Sequence, residues 1–296
     1  MLKEIKDFLL HLRLHYQFFI LSGGYLLGGL IADEMNTTQF WLQFLNVHIL
    51  LFGGATAYNS YWDKDEGPIG GLKHPPKMTA WMHKVSLLFM FAGWAWAITV
   101  NIAYFLVFGI SVALFWLYST PHARWKGRPL ASMVAIALST GTNSVLLGFW
   151  AAGGMFTPAL FAASAGAALI LLSLYPISQV YQIEEDSKRG DKTFTMRFGL
   201  NGVKLFFRFS YLSGLILLTL GFYAIYTAPA IVLFITALLS FFILNAFVKR
   251  LEGVIREYPI VMKIKFAASL AFVLFLIASN AIRYEWIGDT FFRTYF

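Results

Sequence analysis

Long apolar runs separated by short polar breaks occupy most of this sequence. The runs fall at about residues 15–32, 39–61, 83–99, 102–119, 130–151, 157–182, 205–226, 229–248 and 264–284. Each is long enough to cross a hydrocarbon core of roughly 30 Å as an α-helix, which satisfies its own backbone hydrogen bonds in lipid. Runs such as ALFAASAGAALILLSLY lack alternation of apolar and polar positions, which excludes a transmembrane barrel. The pattern predicts an all-α integral membrane protein with nine transmembrane helices, a single polytopic domain over residues 1–296. Ahead of the first run, Leu2, Ile5, Phe8, Leu9 and Leu12 share one helical face, so residues 1–14 are expected to lie in the membrane interface. The first run is too long for a cleavable signal and has no small-residue cleavage site after a short core.

Composition agrees with the pattern: 58% of residues are hydrophobic and 13% charged. There is no cysteine, which removes thiolate metal sites, disulfides and cysteine nucleophiles from consideration. The net charge of +8 does not indicate nucleic acid, because of where it lies. All Lys and Arg except Arg283 and Arg293 fall before the first run or in alternate connections, or at the helix ends beside them. By the positive-inside rule these segments and the N-terminus are cytoplasmic and the C-terminus external, in a multi-pass protein of the cell (inner) membrane. Three cytoplasmic connections, about 62–82, 120–129 and 183–204, are long and rich in Asp, Lys, Arg, Gly and Pro, so the chemistry is expected there.

Two helix ends carry matched polar stripes. In NSYWDKDEGPIGG, Asn59 and Asp63 are four residues apart, and on a regular helix His48, Thr56, Asn59 and Asp63 fall within an arc of roughly 80°. The sixth run ends in SQVYQIEEDSKRGDKT, where Tyr175, Ser178, Gln182 and Asp186 share a comparable arc, with Pro176 expected to kink the helix. A polar stripe in a membrane helix is costly unless it meets a cavity or a partner. Either acidic cluster alone reads as solvated loop residues. The matched pair, on one side of the membrane, suggests an oxygen-lined pocket for a hard divalent cation. Mg²⁺ is usually held by one or two carboxylates together with substrate phosphates. The nearby Lys73, Arg124, Lys126, Arg128, Lys188, Arg189 and Lys192 suit phosphate oxygens. Acids for a metal and bases for phosphate at a membrane surface suggest a lipid diphosphate. His48 reads as a hydrogen-bonded packing residue, as do Asn143, Asn245 and Asn280.

These motifs resemble the UbiA family of membrane prenyltransferases, whose pattern is NxxxDxxxD after the second helix and DxxxD after the sixth. Here they appear as Asn59, Asp63 and Gly67, and as Gln182 and Asp186 followed by Gly190, Lys192, Thr193, Arg197 and Gly199. LKHPP at 72–76 and YSTPHARWKGRP at 118–129 add to the resemblance, which runs from the first span to the ninth. Gly67 and Gln182 depart from the acids of the pattern, with Asp65, Glu66, Glu184 and Glu185 as neighbouring carboxylates.

The resemblance implies nine helices around a central cavity and transfer of an isoprenyl group from a prenyl diphosphate to a lipophilic acceptor, aromatic or a quinone precursor. It implies Mg²⁺ at Asn59, Asp63, Gln182 and Asp186, with Asp65, Glu66 and Glu185 as further candidates. Asn59, Lys73, Arg124, Lys126 and Lys192 are the implied diphosphate contacts. Asp63, Asp186, Lys126 and Tyr181 are the expected catalytic residues. Electrostatic stabilisation of the departing diphosphate is the implied catalysis, and Tyr58, Tyr61, Tyr175 and Tyr181 are aromatic faces that could stabilise an allylic cation. Two other readings remain: a lipid-binding or transport protein, and a family member that binds prenyl lipids without transfer. Transporters tend to hold substrate near the bilayer midplane on broken helices, whereas these acids sit at helix ends on one side, which favours the enzyme.

Overall fold

The structure, a computed structural model, describes residues 2–286, so Arg293 and the C-terminal tail expected on the external side lie outside the described residues. The chain forms α1 (Leu2–Ile31), α2 (Thr37–Asp63), α3 (Ala80–Ala97), α4 (Ile102–Ser119), α5 (Pro129–Ala152), α6 (Pro158–Lys188), α7 (Phe194–Tyr223), α8 (Thr227–Lys249) and α9 (Tyr258–Arg283). Among the described residues eight helices are long and apolar enough to cross a membrane, and α3 is not one of them. That helix corresponds to the expected span 83–99, but His83 and Lys84 in its opening turns lower its hydropathy. The protein is therefore an all-helical, multi-pass membrane protein. A single isolated bridge, Ile69 to Leu72, is the only β pairing among the described residues.

Small residues set the closest helix crossings. A Cβ on Gly148 of α5 would come 1.9 Å from the Tyr25 carbonyl oxygen, and one on Gly28 of α1 would come 2.0 Å from that of Val145. Backbones can approach this closely only where no side chain intervenes. One apolar core gathers Tyr25, Phe40, Phe44, Phe52, Phe108 and Phe149 from α1, α2, α4 and α5. A second joins α6, α7, α8 and α9 through Ile177, Val180, Phe207, Phe241 and Val261.

Four of the helices lose their regular ladder where they pass the central cavity. The helix α1 breaks at Arg13 (φ 49°) and makes a π-helical turn over Gln17–Leu21. Further π-helical turns occur at Asn46–Gly53 in α2 and Ala137–Thr142 in α5, whereas α6 tightens to 3₁₀ over Pro176–Gln182. Pro176 cannot donate to the preceding turn, which accounts for the last of these.

The turn in α2 corrects the expected stripe. A π-helical turn holds more residues than an α-turn and rotates everything before it. His48 is thereby carried into the aromatic core, with its ring 4.1 Å from that of Phe44 and its Nδ1 2.7 Å from the Phe44 carbonyl oxygen. Thr56, Asn59 and Asp63 remain on the cavity side.

Helices also outlast the apolar runs. The α6 helix continues through Ile183–Lys188 and α7 begins at Phe194, so the expected connection 183–204 is non-helical at 189–193 and at Gly199 (φ 65°), where α7 is kinked. In the first segment of α1, Leu2–His11, Phe8 is buried against α2 and α3, whereas Leu2, Ile5 and Leu9 are exposed.

Candidate active site

A cavity of about 220 Å³ opens where α1, α2, α4, α5, α6 and α9 meet at the end carrying both acidic motifs. From α2 it takes Thr56, Asn59 and Asp63, from the following loop Asp65, Ile69 and Gly70, and from α6 Tyr175, Ser178, Tyr181 and Gln182. Lys126, from the loop between α4 and α5, completes the polar end. Six residues of its wall, Ile20, Leu21, Thr140, Leu171, Leu174 and Ser269, are shared with a deeper cavity of about 340 Å³. That second space runs between α1 and α5–α9 and is lined mostly by apolar side chains.

The carboxylates are engaged by cations. Asp63 is buried; its Oδ2 accepts from Asn59 Nδ2 at 2.7 Å and lies 2.5 Å from Lys126 Nζ. Asn59 Oδ1 accepts in turn from the Ser119 hydroxyl at 3.0 Å. Arg189 bridges the two motifs, reaching Asp65 Oδ1 at 2.6 Å and Asp186 Oδ1 at 2.7 Å. Arg124 forms a bidentate pair with Asp191 at 2.6 and 2.9 Å, and its Nη2 is 3.8 Å from Asp63 Oδ1. Burial, and next the charge of Asp63, push the Asp65 carboxyl up to about 6 against the pull of Lys126 and Arg189. Burial opposes the charge of Arg189, but Asp65, Asp63 and Asp186 outweigh it and hold the guanidinium above its ordinary value.

The loop after α2 is tied over this end. Glu185 Oε1 accepts the N–H groups of Glu66 and Gly67 at 2.8 and 2.9 Å. Arg13 donates to the Gly70 carbonyl at 3.2 Å, and His15 Nε2 lies 2.9 Å from that of Gly71. A Cβ at Gly67 would lie 3.1 Å from Glu185 Oε2, so an acid there would set its charge against Glu185.

The expected site residues divide accordingly. Asn59, Asp63, Asp65, Lys126, Tyr181 and Gln182 share the cavity wall. Asp186 is buried one turn beyond Gln182, outside that wall, held by Arg189. Arg124 stands beside Asp63 through Asp191. Glu185 holds the loop, while Glu66, Lys73 and Lys192 are exposed and off the wall. Tyr175 lines the cavity with its hydroxyl 2.9 Å from that of Tyr118, whereas Tyr58 and Tyr61 stack on His83 of α3, at 5.2 and 4.3 Å. Sequence reasoning missed Arg13, Tyr16, Tyr118, Asp191 and Lys265. Lys265 had a signal, since an ionisable residue in a membrane run is a site candidate by default.

The donors fit Mg²⁺ in kind. They are all oxygen, and Asp63 Oδ1 is buried with no hydrogen-bond partner. Among the described residues no three acids or histidines stand close enough to hold an ion by themselves.

The model of the UbiA prenyltransferase family matches residues 19–257. Among curated proteins, none matches this chain. Similar solved structures include a UbiA homologue from Archaeoglobus fulgidus bound to GPP and Mg²⁺, at TM-score 0.72 and 18% identity, covering 93% of this chain and 99% of that one. The same homologue bound to DMAPP and Mg²⁺ superposes at TM-score 0.73, with 18% identity and coverage of 93% and 99%. A structure described as digeranylgeranylglyceryl phosphate synthase gives TM-score 0.67 and 19% identity, covering 94% of this chain and 99% of that one.

Proposed function

Because the chain belongs to the UbiA prenyltransferase family, we propose that it moves an isoprenyl group from a prenyl diphosphate to a lipophilic acceptor, aromatic or a quinone precursor. The observation that carries this reading is the joining of a charged end, with Asp63 and Lys126, to a deeper apolar cavity through a shared wall. A prenyl diphosphate has the same division between a highly charged head and an apolar tail. GPP and DMAPP, to which the Archaeoglobus homologue is bound, are prenyl diphosphates of this kind.

Asn59, Asp63, Gln182 and Asp186 are the residues suited to hold Mg²⁺, with Asp65 next. Bound there, the ion supplies Lewis-acid neutralisation of the diphosphate. The chain's own part is positional and electrostatic. Lys126 and Arg124 stand within reach of Asp63 and can turn from its carboxylate to phosphate oxygens, stabilising charge as the leaving group departs. Arg189 holds Asp65 and Asp186 in register from across the two motifs. Glu185 and Arg13 keep the loop after α2 over the head, limiting water. Tyr175 and Tyr181 line the cavity, and in this reading their rings would face the allylic carbon between head and tail. The loops and the N-terminus are cytoplasmic on the basis of the Lys and Arg distribution.

Incubation of purified protein and Mg²⁺ with labelled prenyl diphosphates of graded length, against native lipid extract, tests this. Labelled product is expected, together with released diphosphate. Retention of the donor without release would leave a prenyl-lipid binder in place of a transferase.

A further inference from the structure

Away from the cavities, α7 and α8 pair side by side near the end that carries the basic loops. Arg208, one turn inside the apolar run of α7, donates from Nε to Asn245 Oδ1 of α8 at 2.9 Å. One turn nearer the loops, Lys204 donates to the Lys249 carbonyl oxygen at 2.8 Å. Phe207 stacks on Phe241 between the same helices, with ring centroids 5.8 Å apart. Lys204 and Arg208 are four residues apart on α7, as are Asn245 and Lys249 on α8, so the four side chains form one patch. None of the four is buried, and Leu205, Phe209 and Phe242 around them are exposed. Exposed apolar side chains on a membrane-spanning helix face lipid, which places the patch at the edge of the apolar band.

The patch presents donors. With Nε on Asn245, the two Nη groups of Arg208 are left to an outside acceptor, as is Nδ2 of Asn245. The Lys249 carbonyl takes one of the three donors of Lys204. The only acids between Phe194 and Arg283 are Glu252 and Glu257. Glu252 lies 2.9 Å from Arg256, and Glu257 accepts the N–H groups of Glu252, Gly253 and Val254. Among the described residues Lys204, Arg208 and Lys249 belong to no ion pair. Like charges four residues apart on a helix repel each other, and an ionisable side chain in a membrane run marks a site whose partner should be sought. Snorkelling alone would leave the Arg208 side chain free to reach for water. Its Nε is instead tied across to α8, which holds the guanidinium in the crossing.

We propose that Lys204, Arg208, Asn245 and Lys249 bind the phosphate headgroup of an anionic phospholipid from the leaflet on the side of the basic loops. The two Nη groups of Arg208 suit a pair of phosphate oxygens, and the ammonium groups add point charges. Basic pockets between membrane helices recognise lipid headgroups in this way. A lipid is favoured over free phosphate by Leu205, Phe209 and Phe242, which its acyl chains cover. By bracing α8 against α7 the lipid also braces the deeper apolar cavity, since Val232, Leu233 and Thr236 of α8 form part of that wall. The site lies outside the proposed transfer chemistry and does not depend on it.

The test melts the full-length protein in neutral detergent with dioleoyl phosphatidylglycerol, with dioleoyl phosphatidylcholine, or with inorganic phosphate. Phosphatidylglycerol is expected to raise the melting temperature saturably by about 3 °C or more. Titration should show it binding about tenfold tighter, or more, than phosphatidylcholine. Inorganic phosphate at the same concentration should leave the melting temperature unchanged. Arg208→Gln should weaken phosphatidylglycerol binding about fivefold or more, and Arg208→Lys should keep part of it. Lys84→Gln, which removes an exposed charge from α3, should leave the affinity within about twofold. If Arg208→Gln does not fold, the double variant Lys204→Gln, Lys249→Gln is held to the same loss. Equal stabilisation by the two lipids, or equal loss in Lys84→Gln and Arg208→Gln, reduces the effect to diffuse surface attraction and overturns the site. A shift reproduced by inorganic phosphate overturns the lipid as its occupant. No prenyl diphosphate is present, so failure of this proposal and failure of the transferase reading are seen separately.

Discussion

Asp63 is where the local forces of the site meet: a buried carboxylate with one oxygen shared between Lys126 and Asn59 and the other without a hydrogen-bond partner. Removing its charge takes away both the oxygen proposed to face the metal and the partner of Lys126. Asp63→Asn, which preserves volume, is expected to lower transfer at least a hundredfold while the protein still elutes as a folded species. Asp186→Asn should do the same. Full turnover by either variant would exclude that carboxylate from the chemistry.

Asp65 makes a separate, pH-dependent prediction. Its carboxyl ionises near 3.8 in an unfolded chain and is pushed up to about 6 in the fold. Between these values the folded protein keeps a proton that the unfolded chain has lost, so stability falls as pH rises through this window and levels off above it. The effect is on the order of 2–3 kcal/mol. Melting of the metal-free protein in detergent between about pH 4 and pH 7 should show this slope, and Asp65→Asn should flatten it. An unchanged slope in Asp65→Asn would assign the titration elsewhere.

At the scale of helices, close backbone crossings and interrupted ladders position these side chains. A methyl at Gly148 would overlap the Tyr25 carbonyl at 1.9 Å and force α1 from α5. Gly148→Ala is expected to cost about 1–3 kcal/mol of stability, read as a lowered melting temperature, and no change would mean that the crossing is looser than described.

Much of this scale was legible in the sequence, because lipid permits few ways to satisfy a backbone. The runs marked the helices, and the spacing Asn59 to Asp63 marked a cavity-facing end, whereas of Gln182 and Asp186 only Gln182 lines the cavity. What periodicity could not reveal were the turns that break it. His48 shares an arc with Asp63 only on a regular helix, and the π-helical turn at Asn46–Gly53 moves it into the aromatic core. Helix ends ran past the apolar runs, since charged turns such as Ile183–Lys188 remain helical beyond the hydrophobic stretch. Arg13 was hidden for another reason: it sits in an interfacial segment where a basic residue is ordinary, and only the left-handed break at its own backbone turns it into the cavity wall.

For the whole molecule, the charged cavity and the apolar one act as a single binding site only if head and tail are held together. The joined wall is the feature that the proposed transfer from an amphiphilic donor requires. The central claim is that the charged end, formed by the converging α2 and α6 motifs, activates a prenyl diphosphate with Mg²⁺. It is tested most directly by measuring diphosphate released from GPP by the purified protein, with Mg²⁺ and with EDTA, for the wild type and Asp63→Asn. The account predicts release by the wild type that EDTA abolishes and that Asp63→Asn lacks. Release that survives EDTA, or that persists in Asp63→Asn, would contradict it.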